Sequence, residues 1–119
     1  MKRTYSHLVI ISILRARWIK YDGILYKKDV GIIYAIDEMP QVAQVIAIYV
    51  VNCDKVLFRV RTMATQCYIE HIRSYVVQFT TSDTALFSLH DLVLPNPVHI
   101  RTVRGKKVFI LPHHVNTKD

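Results

Sequence analysis

A chain of 119 residues has room for one hydrophobic core, and with 51% hydrophobic residues and only three glycines it is neither disordered nor collagen-like. Lysine and arginine outnumber aspartate and glutamate by 16 to 9, giving a net charge of +7 and an isoelectric point near 9.6, which favours an acidic partner: nucleic acid, an anionic membrane surface or an acidic tail. Two cysteines cannot form the disulfide framework of small secreted domains, so Cys53 and Cys67 are expected as free thiols in a reducing compartment.

The chain opens with Met1-Lys2-Arg3 and an apolar run from Leu8 to Leu14. The run is short, Arg15 and Arg17 follow at once, and no small-residue cleavage site appears, so it fits neither a signal peptide nor a membrane span of ~20 residues. Residues 1–16 are expected to form an N-terminal edge strand or tether, residues 17–115 a single β domain, and residues 116–119 a disordered tail.

Within the domain, Asp22-Gly23 between Arg17–Tyr21 and Ile24–Tyr26 predicts a tight hairpin, because glycine freely takes the positive φ that a two-residue turn needs. Lys27-Lys28-Asp29 turns the chain into a strand from Val30 to Ile36, with Val30, Ile32, Tyr34 and Ile36 on one face. Asp37-Glu38-Met39-Pro40 breaks the pattern, since proline donates no ladder hydrogen bond.

Gln41 to Thr62 predicts a central hairpin turning at Asn52-Cys53-Asp54. Its first strand is rich in Val and Ile almost without a break, the mark of a strand covered on both faces. Its second alternates, with Val56, Phe58 and Val60 facing one way and Leu57, Arg59 and Arg61 the other. Met63 to Glu70 fits one helical turn or an irregular crossover. Alternation resumes from Ile72 to Phe79, with Tyr75, Val77 and Phe79 opposite Ser74, Val76 and Gln78, and ends in the hydroxyl-rich Thr80–Thr84 loop. His90–Pro97 reads as a compact turn with a short 3₁₀ piece. A second hairpin follows, from Val98 to Val103 and from Lys107 to Leu111, with a basic bend at Arg104-Gly105-Lys106.

Short strands at fairly regular spacing predict an all-β fold: a small SH3-like or chromatin-barrel-like antiparallel barrel or sandwich of about six or seven strands, with a terminal basic hairpin.

Chemistry-bearing motifs are few. Cys67-x-x-x-His71, with His90, His99, His113 and His114 downstream, lacks the paired ligands of a structural zinc site, and the alternative has Cys67 as a small buried hydrophobe. There is no Gly-x-Ser-x-Gly elbow and no phosphate-cradling glycine loop. A non-enzymatic protein with no metal and no cofactor is therefore expected. Trp18, Tyr21, Tyr26 and Tyr34 lie close together in sequence and have two readings: an aromatic recess for a methylated lysine or a base, or ordinary core. The basic residues fall into three groups: Arg15, Arg17 and Lys20; Arg59 and Arg61; Arg104, Lys106 and Lys107. Either a curling sheet merges them into a phosphate-attracting wall, or they are separate solvated faces.

Tyr21-x-Gly23-x-x-Tyr26-x-x-Asp29-Val30, followed by Pro40-x-Val42-Ala43-x-Val45-x-Ala47-Ile48, resembles the opening of bromo-adjacent-homology and Tudor-like chromatin barrels. His71-x-x-Ser74-Tyr75-Val76-Val77, Asp91-Leu92-Val93-Leu94-Pro95-x-Pro97 and Val103-x-Gly105-Lys106-Lys107-Val108-x-x-Leu111 resemble the terminal β domain of uncharacterised transposon-associated animal proteins. These resemblances imply an accessory binding or scaffolding domain.

The expected function is a binding module for nucleic acid or a chromatin-type partner. Arg59, Arg61, Arg104, Lys106 and Lys107 would supply attraction, and Trp18, Tyr21, Tyr26 or Tyr34 aromatic contact. The expected address is intracellular, nuclear in preference to cytoplasmic. The alternative is a protein-interaction or homo-oligomerisation domain pairing through exposed strand edges.

Overall fold

The central hairpin is longer than its apolar pattern implies. In the computed structural model, which describes residues 12–80 and 83–111, its arms are β5 (Pro40–Val51) and β6 (Lys55–Ile69), paired from Val51↔Lys55 to Val42↔Met63. Asn52 and Cys53 turn the chain with φ of 53° and 64°. The segment from Met63 to Glu70, expected as a helical turn or crossover, instead continues β6 to Ile69. A bulge between Thr65 and Cys67 breaks the alternation, which is why the strand is hard to see in the sequence.

Ahead of this hairpin lie β1 (Ile13–Ala16), β2 (Trp18–Tyr21), β3 (Ile24–Lys27) and β4 (Gly31–Ile36); behind it lie β7 (Ser74–Phe79), β8 (Ala85–Ser88), β9 (Arg101–Val103) and β10 (Lys106–Phe109). Asp22 and Gly23 both adopt positive φ, as the expected β2–β3 hairpin requires. β8 was not legible from its four residues. The region after it contains the expected 3₁₀ turn, at Leu89–Asp91, held by a capping box between Ser88 and Asp91.

All pairing is antiparallel. The main sheet runs β1-β5-β6-β7-β10-β9. In addition, β4 shares the edge of β5 with β1, and β8 shares the edge of β6 with β7. β2 and β3 form a separate two-stranded sheet.

Two apolar clusters lie on opposite faces of β4, β5 and β6. One gathers Tyr26, Ile32, Ala43, Val45, Ile48, Phe58 and Val60, with Ile19 and Ile24 of the β2–β3 hairpin packed against it. The other gathers Ile33, Val42, Met63, Val77, Val98 and Phe109. Adjacent residues such as Ile32 and Ile33 thus enter different clusters, each fully buried and each contributing about 1.5–3 kcal/mol relative to exposure. This explains the near-unbroken apolar run of β5.

The second cluster forms because the sheet curls until Gly31 and Val98 exchange both backbone hydrogen bonds, at 2.7 and 2.8 Å. That contact is an isolated bridge and does not extend into a ladder. Of the two forms expected for the antiparallel all-β fold, barrel and sandwich, the molecule takes the sandwich-like one and is not a closed barrel. The strand expected from Val98 to Val103 is reduced to this bridge and the three residues of β9. Among the described residues, no helix is long and apolar enough to cross a membrane. Residues 1–11, His113, His114 and the 116–119 tail lie outside the described residues.

Candidate nucleic-acid interface

Strand alternation places Arg59 and Arg61 on the face of β6 opposite Phe58 and Val60, as the sequence predicts. Arg59 is the register partner of Ala47 on β5 and of Leu86 on β8, and its Nε donates to Thr84 Oγ1 at 3.2 Å. One row further along this face, Arg15, Tyr49 and Leu57 lie side by side across β1, β5 and β6. Leu86 is 60% exposed.

Arg61 reaches the other way. Its guanidinium carbon lies 3.8 Å from the centroid of Phe79 on β7, and the ammonium of Lys107 on β10 lies 5.9 Å from the same ring. Such contacts contribute about 0.5–1 kcal/mol when exposed and ~2 when desolvated. The Nε of Arg61 is buried without a hydrogen-bond partner. Removing a polar atom from water in this way costs about 1–3 kcal/mol, against which the contact with Phe79 acts.

Lys106 and Lys107 are successive strand residues and project to opposite faces. Lys107 joins Arg61 and Phe79. Lys106 lines a recess of about 350 Å³ together with Lys107, Gln78 and Phe79, and with Arg104 it also borders an apolar recess of about 450 Å³ with Ile69, His71 and Val108. The cations of the terminal hairpin thus straddle the sheet edge, with Lys107 on the Phe79 side, Arg104 away from it and Lys106 bordering both recesses. Its turn is the expected one, with Arg104 and Gly105 at φ of 52° and 82°.

The four candidate aromatics do not form one recess. Tyr26 is 2% exposed; its ring packs on Phe58 at 5.4 Å and its hydroxyl donates to the Pro95 carbonyl at 2.5 Å. Burial, and then the charge of Asp22, raises its pKa above the ordinary tyrosine value. Tyr34 is half-buried against Phe87 at 5.0 Å, and burial followed by Asp37 raises its pKa too. Trp18 and Tyr21 are 60% and 41% exposed on the β2–β3 hairpin. Since Phe58 and Arg59 face opposite ways, Tyr26 lies across the sheet from the arginine face.

The ring that meets the cations is Phe79. Sequence reading placed it on a strand face with Tyr75 and Val77 but gave it no role, because its approach to Arg61 depends on the β6–β7 pairing Met63↔Phe79. Cys53 and Cys67 are free, and both are exposed, so Cys67 is not the buried hydrophobe of one reading. Among the described residues, no three or more His, Cys, Asp or Glu side chains come together as a metal site.

Fold and surface together define a sandwich-like antiparallel β protein with a cationic sheet face. Comparisons with family models, curated proteins and solved structures find no match, so the functional reading rests on this surface.

Proposed function

We propose that the chain is a non-enzymatic nucleic-acid-binding module, acting through the sheet face that carries Arg15, Arg59, Arg61 and Lys107. The observation behind this reading is the shared use of Phe79 by Arg61 and Lys107, with Arg59 beside them on the same face. Guanidinium groups held by packing lose less freedom on meeting a phosphate than free side chains do. A chromatin-associated, nuclear setting follows from this reading. A methyl-lysine cage draws no support from Tyr26 and Tyr34, whose rings are engaged in packing.

Fluorescence anisotropy with labelled single-stranded DNA and RNA tests the proposal. Four neutralised phosphates at about 0.7 ions each give a slope of roughly −3 in log K against log salt. R59A/R61A/K107A is expected to weaken binding at least tenfold and flatten the slope. Binding that ignores both salt and these substitutions rules the proposal out.

A second reading is favoured by β1, which pairs only with β5 among the described strands and exposes Ile13 and Leu14 at 59% and 58%. Strand addition at this edge would produce a homo-oligomer. Light scattering showing a concentration-dependent dimer, lost on a Leu14→Lys substitution, supports this reading; a monomer at all concentrations removes it.

A further inference from the structure

Two strands share one edge of β5: β1 pairs with Ile48–Val51 and β4 with the Pro40–Gln44 end. Between them β5 carries its bulge, at Ile46, where neither strand is in register. The chain leaves β5 after Ala16, makes the β2–β3 hairpin, and returns at Asp29, whose N–H donates to the Val45 carbonyl at 2.8 Å. Trp18↔Lys27 is the last register pair of that hairpin, so Arg17 and Lys28 flank its open base. Arg15, Arg17 and Lys28 line a recess of about 500 Å³ in this gap, with Ala16, Ile46 and Ala47 completing the wall.

Like charges brought close together are mutually destabilising, and no carboxylate among the described residues lines the recess to offset them. Asp29, next in sequence, is not part of the wall. The apolar wall residues lack hydrogen-bonding side chains, so an entering anion would take its partners from the guanidinium and ammonium groups. The volume lies within the range of small-molecule sites and exceeds what a bare phosphate needs, leaving room for an attached sugar. Guanidinium groups match the paired oxygens of a phosphate, and lysine adds a point charge.

We infer that this gap between β1 and β4 is a phosphate-binding site, with Arg15, Arg17 and Lys28 as its ligands. The wall residue Ala47 is the register partner of Arg59, so the recess adjoins the arginine face. The inference deepens the nucleic-acid reading, on which it rests only for the source of the phosphate.

Trp18, the single tryptophan of the chain, follows Arg17 in sequence and supplies an emission signal, read alongside isothermal titration calorimetry with the same ligands. Its emission is followed on the full chain with inorganic phosphate, adenosine monophosphate and adenosine. The first two are expected to give a saturable change and adenosine none. R17A/K28A should weaken the response at least fivefold, with Arg17→Gln/Lys28→Gln as the substitute if the alanine variant does not fold, and R59A/R61A should leave it intact. Displacement of phosphate by an oligonucleotide carrying only internal phosphates assigns the site to a polymer backbone; displacement by the mononucleotide alone assigns it to a free ligand, and either supports the site. No saturable change in the parent chain, or a response undiminished in the charge-removed variant, overturns it. Oligonucleotide binding lost in R59A/R61A but phosphate binding absent throughout overturns the recess and leaves the arginine face standing.

Discussion

Gly31 stands where the curling sheet meets itself. A Cβ there would lie 2.7 Å from Val42 Cγ2, 2.8 Å from Val98 Cγ2 and 3.0 Å from Ile100 Cδ1, all within or beside the second cluster. Gly31→Ala is expected to cost about 1–3 kcal/mol in urea unfolding through overpacking. Gly23→Ala is expected to cost about 1 kcal/mol for a different reason: nothing lies within 4 Å, but φ is +79°. Arg61 makes the opposite bargain. Arg61→Leu removes the unpartnered buried Nε, so thermal unfolding is expected at an unchanged or higher temperature while oligonucleotide affinity falls, by less than in R59A/R61A/K107A. The tyrosines give a pH signature. Tyr26, Tyr34 and Tyr75 all have pKa values raised above 10.0, chiefly by burial, so the folded state holds these protons more tightly than the unfolded state does. Their contribution is intact below pH 10 and is lost as pH rises through the raised values. Urea unfolding at pH 9 to 11 should show this fall, with a shallower slope in Tyr26→Phe.

At the scale of the element, the β5–β6 turn departs from the best local chemistry. Cys53 adopts φ of 64°, a left-handed conformation that favours glycine, so Cys53→Gly is expected to stabilise the chain by about 0.5–1 kcal/mol in chemical denaturation. This hairpin was legible because Val, Ile and alternating Phe58, Val60, Arg59 and Arg61 declare a strand and its faces. The Asp22-Gly23 hairpin was legible because its turn chemistry is local. Three features were not. The bulge between Thr65 and Cys67 disguised the second half of β6, β8 was too short to carry a period, and Tyr34 sits at a register shift in β4 that no local pattern marks. The candidate site divides in the same way. The side of the strand that Arg59 and Arg61 occupy follows from period two, and the meeting of Arg17 with Lys28 follows from the local hairpin, whereas the approach of Phe79 to Arg61 and of Arg15 to β5 depends on the β6–β7 and β1–β5 pairings, which are set by contacts distant in sequence.

For the molecule as a whole, both clusters are built on β4, β5 and β6: Val45 and Phe58 serve one face, Val42 and Met63 the other. Neither layer has a complete framework of its own, so melting one removes the wall against which the other packs. Calorimetry is expected to give a single transition, with equal van't Hoff and calorimetric enthalpies; two resolved peaks would show that the layers unfold independently. Because the shared arms are neighbours in sequence, they can zip together at small entropic cost before the β2–β3 cover and the distant Val98 contact arrive. Substitutions in β5 and β6 should therefore slow refolding, while changes at the Gly31–Val98 closure should mainly hasten unfolding.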